Sequence, residues 1–240
     1  MQPIRPSWLT NERLRDIVER CYRFPDPDPA TLDESLALYL WLPIDVRNRR
    51  YRSCLEALVE DTKYATGWRA EPTDSPNDPR KGTLWLGNFG FLALFDQLGK
   101  AVAKRNGSVG LRTPFERAVV DFAGESAETA AALYALRNSL SHSYGLVNCD
   151  RPDRSYLFTV DVGDALGPPV EAPRVAWGGD PDKIAGHETT IHFRAVGAIA
   201  FRAVDEARSL FADGALELAP GMTPGLLRRS YVFVHGIPRD

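Results

Sequence analysis

Apolar positions along the first 145 residues recur at three- and four-residue steps, the spacing of a single helix face. Leu14, Ile17, Val18 and Cys21 form the first such stripe. It predicts a helix capped by Thr10 or Asn11 and running to about residue 22. Pro25, Pro27 and Pro29 end it, because proline has no N–H to continue the ladder. Thr31 followed by Glu34 has the pattern of a capping box and opens a second helix, which runs to Leu42 before Pro43. A third helix is expected from an Asp45 cap to about Lys63, with Tyr51, Leu55, Leu58 and Val59 inward. Residues 66–82, rich in Pro, Asp and Gly, read as a loop. The run LWLGNFGFLALFDQLGKAVAKR is the most apolar in the chain and predicts a central buried helix over residues 83–104. Gly87 and Gly90 lower its helical propensity but permit another helix to come close. Thr113-Pro114 is an N-cap and N1 pair for a short helix to about Phe122. After Gly124 comes SAETAAALYALRNSLSHSYG, a helix with Leu133, Leu136 and Leu140 on its apolar face and Gly145 as a left-handed stop.

Beyond Gly145 the period changes. GLVNC and SYLFTVDV look like two strands around DRPDR, followed by a loop over residues 163–173. A short strand is expected over 174–177 and another over TTIHFRA. A helix over 196–211 turns Ile199, Ala203, Ala207 and Leu210 inward. Pro220, Gly221, Pro224 and Gly225 then read as a linker to a last strand over 230–235. The expected architecture is mainly α. A helical bundle covers residues 1–145, and an α+β extension over 146–240, a small antiparallel sheet plus a helix, packs on it. The expected core includes Leu55, Leu58, Leu84, Phe91, Leu94, Phe95, Leu98, Leu133, Leu136 and Leu140.

Composition changes this picture little. Apolar residues make up 44% and charged residues 25%, ordinary for a soluble globular chain. A net charge of −3 does not steer the whole molecule toward nucleic acid, so any such role must rest on local charge. Arg47, Arg49, Arg50 and Arg52 supply some. One reading makes them, Arg47 and Arg50 above all, a phosphate-contacting patch at a helix start. The other makes them a solvated face with Arg52 paired to Glu56. Cys21, Cys54 and Cys149 have neither disulfide-framework nor zinc spacing. With no signal-like start and no long apolar run, a reduced cytoplasm is expected and no membrane.

The chemistry gathers at Arg137-Asn138-Ser139-Leu140-Ser141-His142. Asn138 and His142 are four apart and share a helix face. Arg137 stands roughly 140° from His142 around an ideal helix, so the two flank a groove. An arginine fork matches phosphate geometry, and histidine moves protons near neutral pH. That set suffices for metal-free cleavage of RNA through its own 2′-hydroxyl. The stretch resembles the signature of the HEPN superfamily, an arginine followed by a polar residue and then, four to six positions on, a histidine. The resemblance implies a helical bundle and a metal-independent endoribonuclease of the toxin or defence kind, with catalysis by Arg137 and His142 and support from Asn138. Ser141 and Tyr144, with Arg47 and Arg50, complete the expected substrate contacts. No cofactor is expected. RNA is the expected partner, with an antitoxin or regulatory protein as another. Family sites are composite, and the offset between Arg137 and His142 argues the same way. A homodimer with facing motif helices is therefore expected.

Competing readings remain. Arg229 and His235 fit the looser spacing, but in a strand-like run. Ser139, Ser141 and Ser143 flank His142 without a nucleophile-elbow sequence. His187, Glu188 and His192 lack a third metal ligand, and positions five apart on a strand face opposite sides. Arg137 paired with Asp121 or Glu125, and His142 capping helix carbonyls, would leave an inactive HEPN-like scaffold or a nucleotide- or RNA-binding module.

Overall fold

The computed structural model describes residues 5–23, 29–68, 84–151, 154–163, 167–180 and 182–236. Helices take up 52% of it, so the fold is mainly α. The capped helices stand where the sequence signals put them. α1 (Asn11–Cys21) starts under Thr10, whose hydroxyl accepts the Arg13 N–H, and buries Leu14, Ile17, Val18 and Cys21. α2 (Leu32–Trp41) closes its capping box: Thr31 Oγ1 accepts the Glu34 N–H at 3.2 Å, and the Glu34 carboxylate accepts the Thr31 N–H at 3.0 Å. That carboxylate also takes Arg20 at 2.5 Å. Burial pushes Glu34 up, but the Thr31 N–H and the Arg20 and Arg13 charges outweigh it and hold the carboxyl below the usual glutamate value.

The third helix does not begin at Asp45. Residues 44–53 form a hairpin instead, β1 (Ile44–Val46) and β2 (Arg49–Ser53), joined through Arg47 and Asn48 at φ 48° and 62°. Two positive φ values in a row make a tight turn that suits the strand twist. Ile44, Val46 and Tyr51 alternate inward, and a period of two suits strands. Ser53 then caps α3 (Cys54–Thr66) by accepting the Glu56 N–H. The arginines thus avoid a helix N-terminus that would repel them. Glu56 pairs with Arg208 rather than Arg52.

α4 (Leu84–Ala101) is the centre of the bundle, and Phe91, Leu92, Leu94, Phe95 and Leu98 are fully buried. Gly90 packs against Thr62 and Gly87 against Thr66, so a methyl at either would collide with α3. The close approach expected of these glycines is real. β3 (Val102–Lys104) replaces the last turn expected of this helix. α5 (Pro114–Asp121), with a Thr113–Glu116 capping box, and α6 (Ala127–His142), capped by Ser126, complete the first half. Of the expected core, Leu58 is half-buried and the Leu84 side chain lies outside the described residues. The other eight are buried.

The second half is woven into the first. β4 (Val147–Arg151) and β5 (Arg154–Asp161) pair antiparallel as expected. β5 then pairs in parallel with β7 (Glu188–His192), and β6 (Val170–Glu171) covers β7 from the other side. The sheet, ordered β4-β5-β7-β6, is therefore mixed and not purely antiparallel. No strand forms over 174–177. α7 (Phe193–Ala212) starts three residues earlier than expected and packs on α4, with Gly197 against the Phe91 and Trp68 rings. β8 (Leu216–Leu218) pairs with β3. The expected linker contains α8 (Pro224–Tyr231), which packs on α2, and β9 (Val232–Gly236) pairs with β2. No helix among the described residues is long and apolar enough to cross a membrane.

Candidate functional site on the α4–α6 seam

α6 carries the motif, and its last helical residue is His142. Its end is built by serines. Ser139 is buried and its hydroxyl donates to the Val147 carbonyl at 2.8 Å, tying the helix to β4. Ser143 donates to the Ser139 carbonyl at 2.9 Å, and Ser141 to the Asn138 carbonyl at 3.2 Å. Two of these bonds therefore fall on carbonyls near the helix end, those of Asn138 and Ser139. His142 itself is exposed and bonds no other described residue.

Gly145 is not the left-handed stop. Tyr144 takes the left-handed conformation, at φ 53°, which costs a non-glycine residue on the order of 1 kcal/mol. Its side chain is exposed, and the ring meets Trp85 at 6.3 Å.

Arg137 is half-buried, and both tips of its fork are engaged. Nη2 donates to Asp96 Oδ2 at 2.5 Å, and Nη1 to Asn138 Oδ1 at 3.2 Å. Lys100, one turn along α4, reaches the same Asp96 oxygen at 3.0 Å. The carboxylate is not either of those considered from the sequence: Glu125 pairs with Arg202, and Asp121 accepts the Ser108 N–H. A guanidinium has five N–H donors. With two engaged among the described residues, three are left to meet a ligand anion.

Around α4, Trp85 and Phe89 stand within about 20° of Asp96 on an ideal helix. All three therefore face the flank where α6 carries its motif. Trp85, Leu86 and Phe89 are exposed although the helix read as wholly buried. The seam thus has a polar centre of Asp96, Lys100, Arg137 and Asn138, beside an apolar rim of Trp85, Phe89 and Tyr144, while exposed His142 stands roughly 140° round α6 from Arg137. Tyr144 was expected at the site, but Asp96, Trp85 and Phe89 went unread because an i, i+4 charge pair and apolar residues at a helix start carry no sign of a partner.

Arg47 and Arg50 lie elsewhere. Their hairpin packs mainly on α1, α2 and α3, while α6 packs on α4, α5 and the mixed sheet. Arg47 pairs with Glu19 at 3.2 Å, and Arg50 stands 3.9 Å from Asp45. The remaining histidines are also apart from the seam. His187 Nδ1 bonds the Val175 carbonyl, and His192 lies between Asp161 and Glu171. Among the described residues, no three His, Cys, Asp or Glu side chains gather closely enough to hold a metal ion. The His235 side chain lies outside the described residues.

Comparison with protein families, with curated proteins and with solved structures finds no match for this chain.

Proposed function

We propose that the chain is a metal-independent endoribonuclease of HEPN type, acting as a toxin or defence effector. One observation carries the reading: an exposed imidazole with no partner among the described residues stands on the same helix end as an arginine fork held by Asp96 and Asn138. The fork's free donors bind the scissile phosphate and stabilise charge that grows in the transition state. His142 takes the 2′-hydroxyl proton or protonates the departing 5′-oxygen. The O2′–P bond forms as the P–O5′ bond breaks, leaving a 2′,3′-cyclic phosphate and a 5′-hydroxyl. Asn138 orients the arginine, to which it is already bonded. Ser141 and Tyr144 contact the RNA.

The working unit in this proposal is a homodimer with facing motif helices. α6 stays helical through His142, so the roughly 140° offset of Arg137 from His142 persists. A two-fold axis along the seam brings one chain's Arg137 toward the other's His142, and two-fold assemblies are the commonest. Exposed Trp85, Leu86 and Phe89 favour a covered face here. An antitoxin or other regulatory protein is proposed as an additional partner.

A second reading draws on the ion pair itself. Asp96 neutralises Arg137, which fits an inactive HEPN-like scaffold or an RNA- or nucleotide-binding module. RNA degradation in EDTA separates the two. Activity in wild type, lost in Arg137→Ala and in His142→Ala, supports the enzyme. A folded wild type that binds RNA without cleaving it supports the module.

A further inference from the structure

Two aromatic rings from distant parts of the chain meet just past the end of the motif helix. Trp85 is the second residue of α4, and Tyr144 stands two residues beyond the end of α6. Their ring centroids are 6.3 Å apart and their planes are tilted by 47°. Rings stacked face to face would each hide a face of the other, and a tilted pair at this separation does not. Trp85 is accordingly 39% exposed and Tyr144 62%. Every other pair of aromatic rings among the described residues includes a ring that is buried or half-buried. This pair is therefore not core packing.

Tyr144 holds its place against its own backbone. Its φ of 53° is one that glycine adopts freely, and Gly145 stands next to it. A side chain there is strained, and so exposed a ring returns little packing for it. Strain kept without a packing return points to a use outside the fold.

Cations stand within reach. Arg137 is seven residues before Tyr144, roughly 10 Å along the helix direction. Lys100 shares Asp96 with Arg137, so two cations face one carboxylate and the group stays positive. At 3.4 Å for each stacked nucleotide, about three nucleotides cover that distance. Exposed rings beside a positive group suit a single strand: cations take phosphates, and rings take base faces. In a duplex the base faces are covered, so only an unpaired base can lie on a ring.

We propose that Trp85 and Tyr144 form a stacking subsite for an unpaired base of single-stranded RNA, a few nucleotides from the phosphate held by Arg137. The subsite deepens the ribonuclease reading and rests on it for the choice of RNA. Every base has a π-face, so the subsite selects unpaired strand over duplex with little preference among bases. Leu86 and Phe89 remain for the contact between chains.

The test uses the His142→Ala chain in EDTA and short single-stranded RNAs that carry 2-aminopurine, whose fluorescence is quenched on stacking. An abasic strand with the same phosphates and a duplex of the same sequence are the comparisons. The single strand is expected to bind at least about fivefold tighter than either, with quenching. Trp85→Ala and Tyr144→Ala, each added to this chain, should lose about fivefold or more in affinity and most of the quench. Their salt dependence should stay unchanged, because no phosphate contact is lost. Trp85→Leu keeps an apolar contact without a ring and should lose as much, while Tyr144→Phe should retain both signals. Thermal melts confirm that each variant folds. Equal affinity for the abasic strand or the duplex, or no binding of the single strand, overturns the subsite. So do ring variants that leave affinity and quench unchanged. Loss of RNA binding matched by loss of the dimer in sedimentation also overturns it and assigns the rings to the contact between chains. The two readings fail separately. Wild-type chain that quenches the base and leaves the RNA uncut contradicts the ribonuclease alone. Wild-type cleavage that Trp85→Ala leaves unchanged contradicts the subsite alone.

Discussion

Removing Asp96 should cost more stability than removing Arg137, although each breaks the same ion pair. Arg137 and Lys100 both bond Asp96 Oδ2, at 2.5 and 3.0 Å. The side chains of Arg137 and Asp96 are 24% and 18% exposed, and that of Lys100 is 51% exposed. A hydrogen bond between charged groups contributes about 1.5–3 kcal/mol, and the exposed lysine pair about 0–1. In Arg137→Ala, Lys100 still neutralises Asp96, so the expected loss is about 1–1.5 kcal/mol. In Asp96→Ala both bonds go and a half-buried guanidinium is left without a counter-charge, for a loss of about 2–3 kcal/mol. Near this size, each kcal/mol moves Tm by about 2–4 °C. Urea unfolding of the two single variants and the double variant closes the cycle. A coupling of about 1–2 kcal/mol is expected. Additivity within about 0.3 kcal/mol, or a larger loss for Arg137→Ala, would refute the reasoning.

Other predictions follow from the packing. Phe95→Ala removes a fully buried ring that meets Phe115 at 5.7 Å and should cost about 3–5 kcal/mol by denaturant titration. Gly99→Ala should destabilise more than Gly90→Ala, by about 1–3 kcal/mol overpacking at the least, because its methyl meets the Pro114 backbone while Gly90 faces the Thr62 side chain. Thr62→Gly should rescue Gly90→Ala in the same melts. The depressed Glu34 carboxyl contributes stability that is full above the unfolded value near ~4.3 and is lost as pH falls through the lower folded value. Glu34→Gln should therefore be less stable at neutral pH and show a shallower decline in Tm below about pH 5. Tyr144→Gly should change stability by less than about 1 kcal/mol, since relieved strain offsets added chain entropy, yet reduce RNA cleavage.

What could be read from the sequence was what short-range chemistry dictates. Thr10, Thr31, Thr113 and Ser126 are N-caps because their oxygens meet N–H groups three residues on, and the apolar stripes behind them became core. The hairpin escaped notice because Arg47-Asn48 is not a glycine turn and its strands alternate with arginine rather than with neutral polar residues. α8 was legible and overlooked: Thr223-Pro224 repeats the cap seen at Thr113-Pro114, but Gly225 made it look like a linker. Long-range pairing left no local trace. Asp96 meets Arg137 from 41 residues away, and β5 pairs with β7 across a long connection in a direction that alternation does not encode. The motif helix was readable except for its stop, which Tyr144 and not Gly145 supplies; what surrounds it was not.

One assay reaches the central claim most directly. RNA is incubated in EDTA with wild type, Arg137→Ala, His142→Ala and a subunit-exchanged mixture of the two variants. The account predicts cleavage by wild type, little by either variant alone, and roughly a quarter of wild-type activity in the mixture if random two-fold pairing restores one composite site per mixed dimer. Products should end in a 2′,3′-cyclic phosphate. Equal activity in all four samples, or a folded wild type that leaves RNA intact, would contradict it.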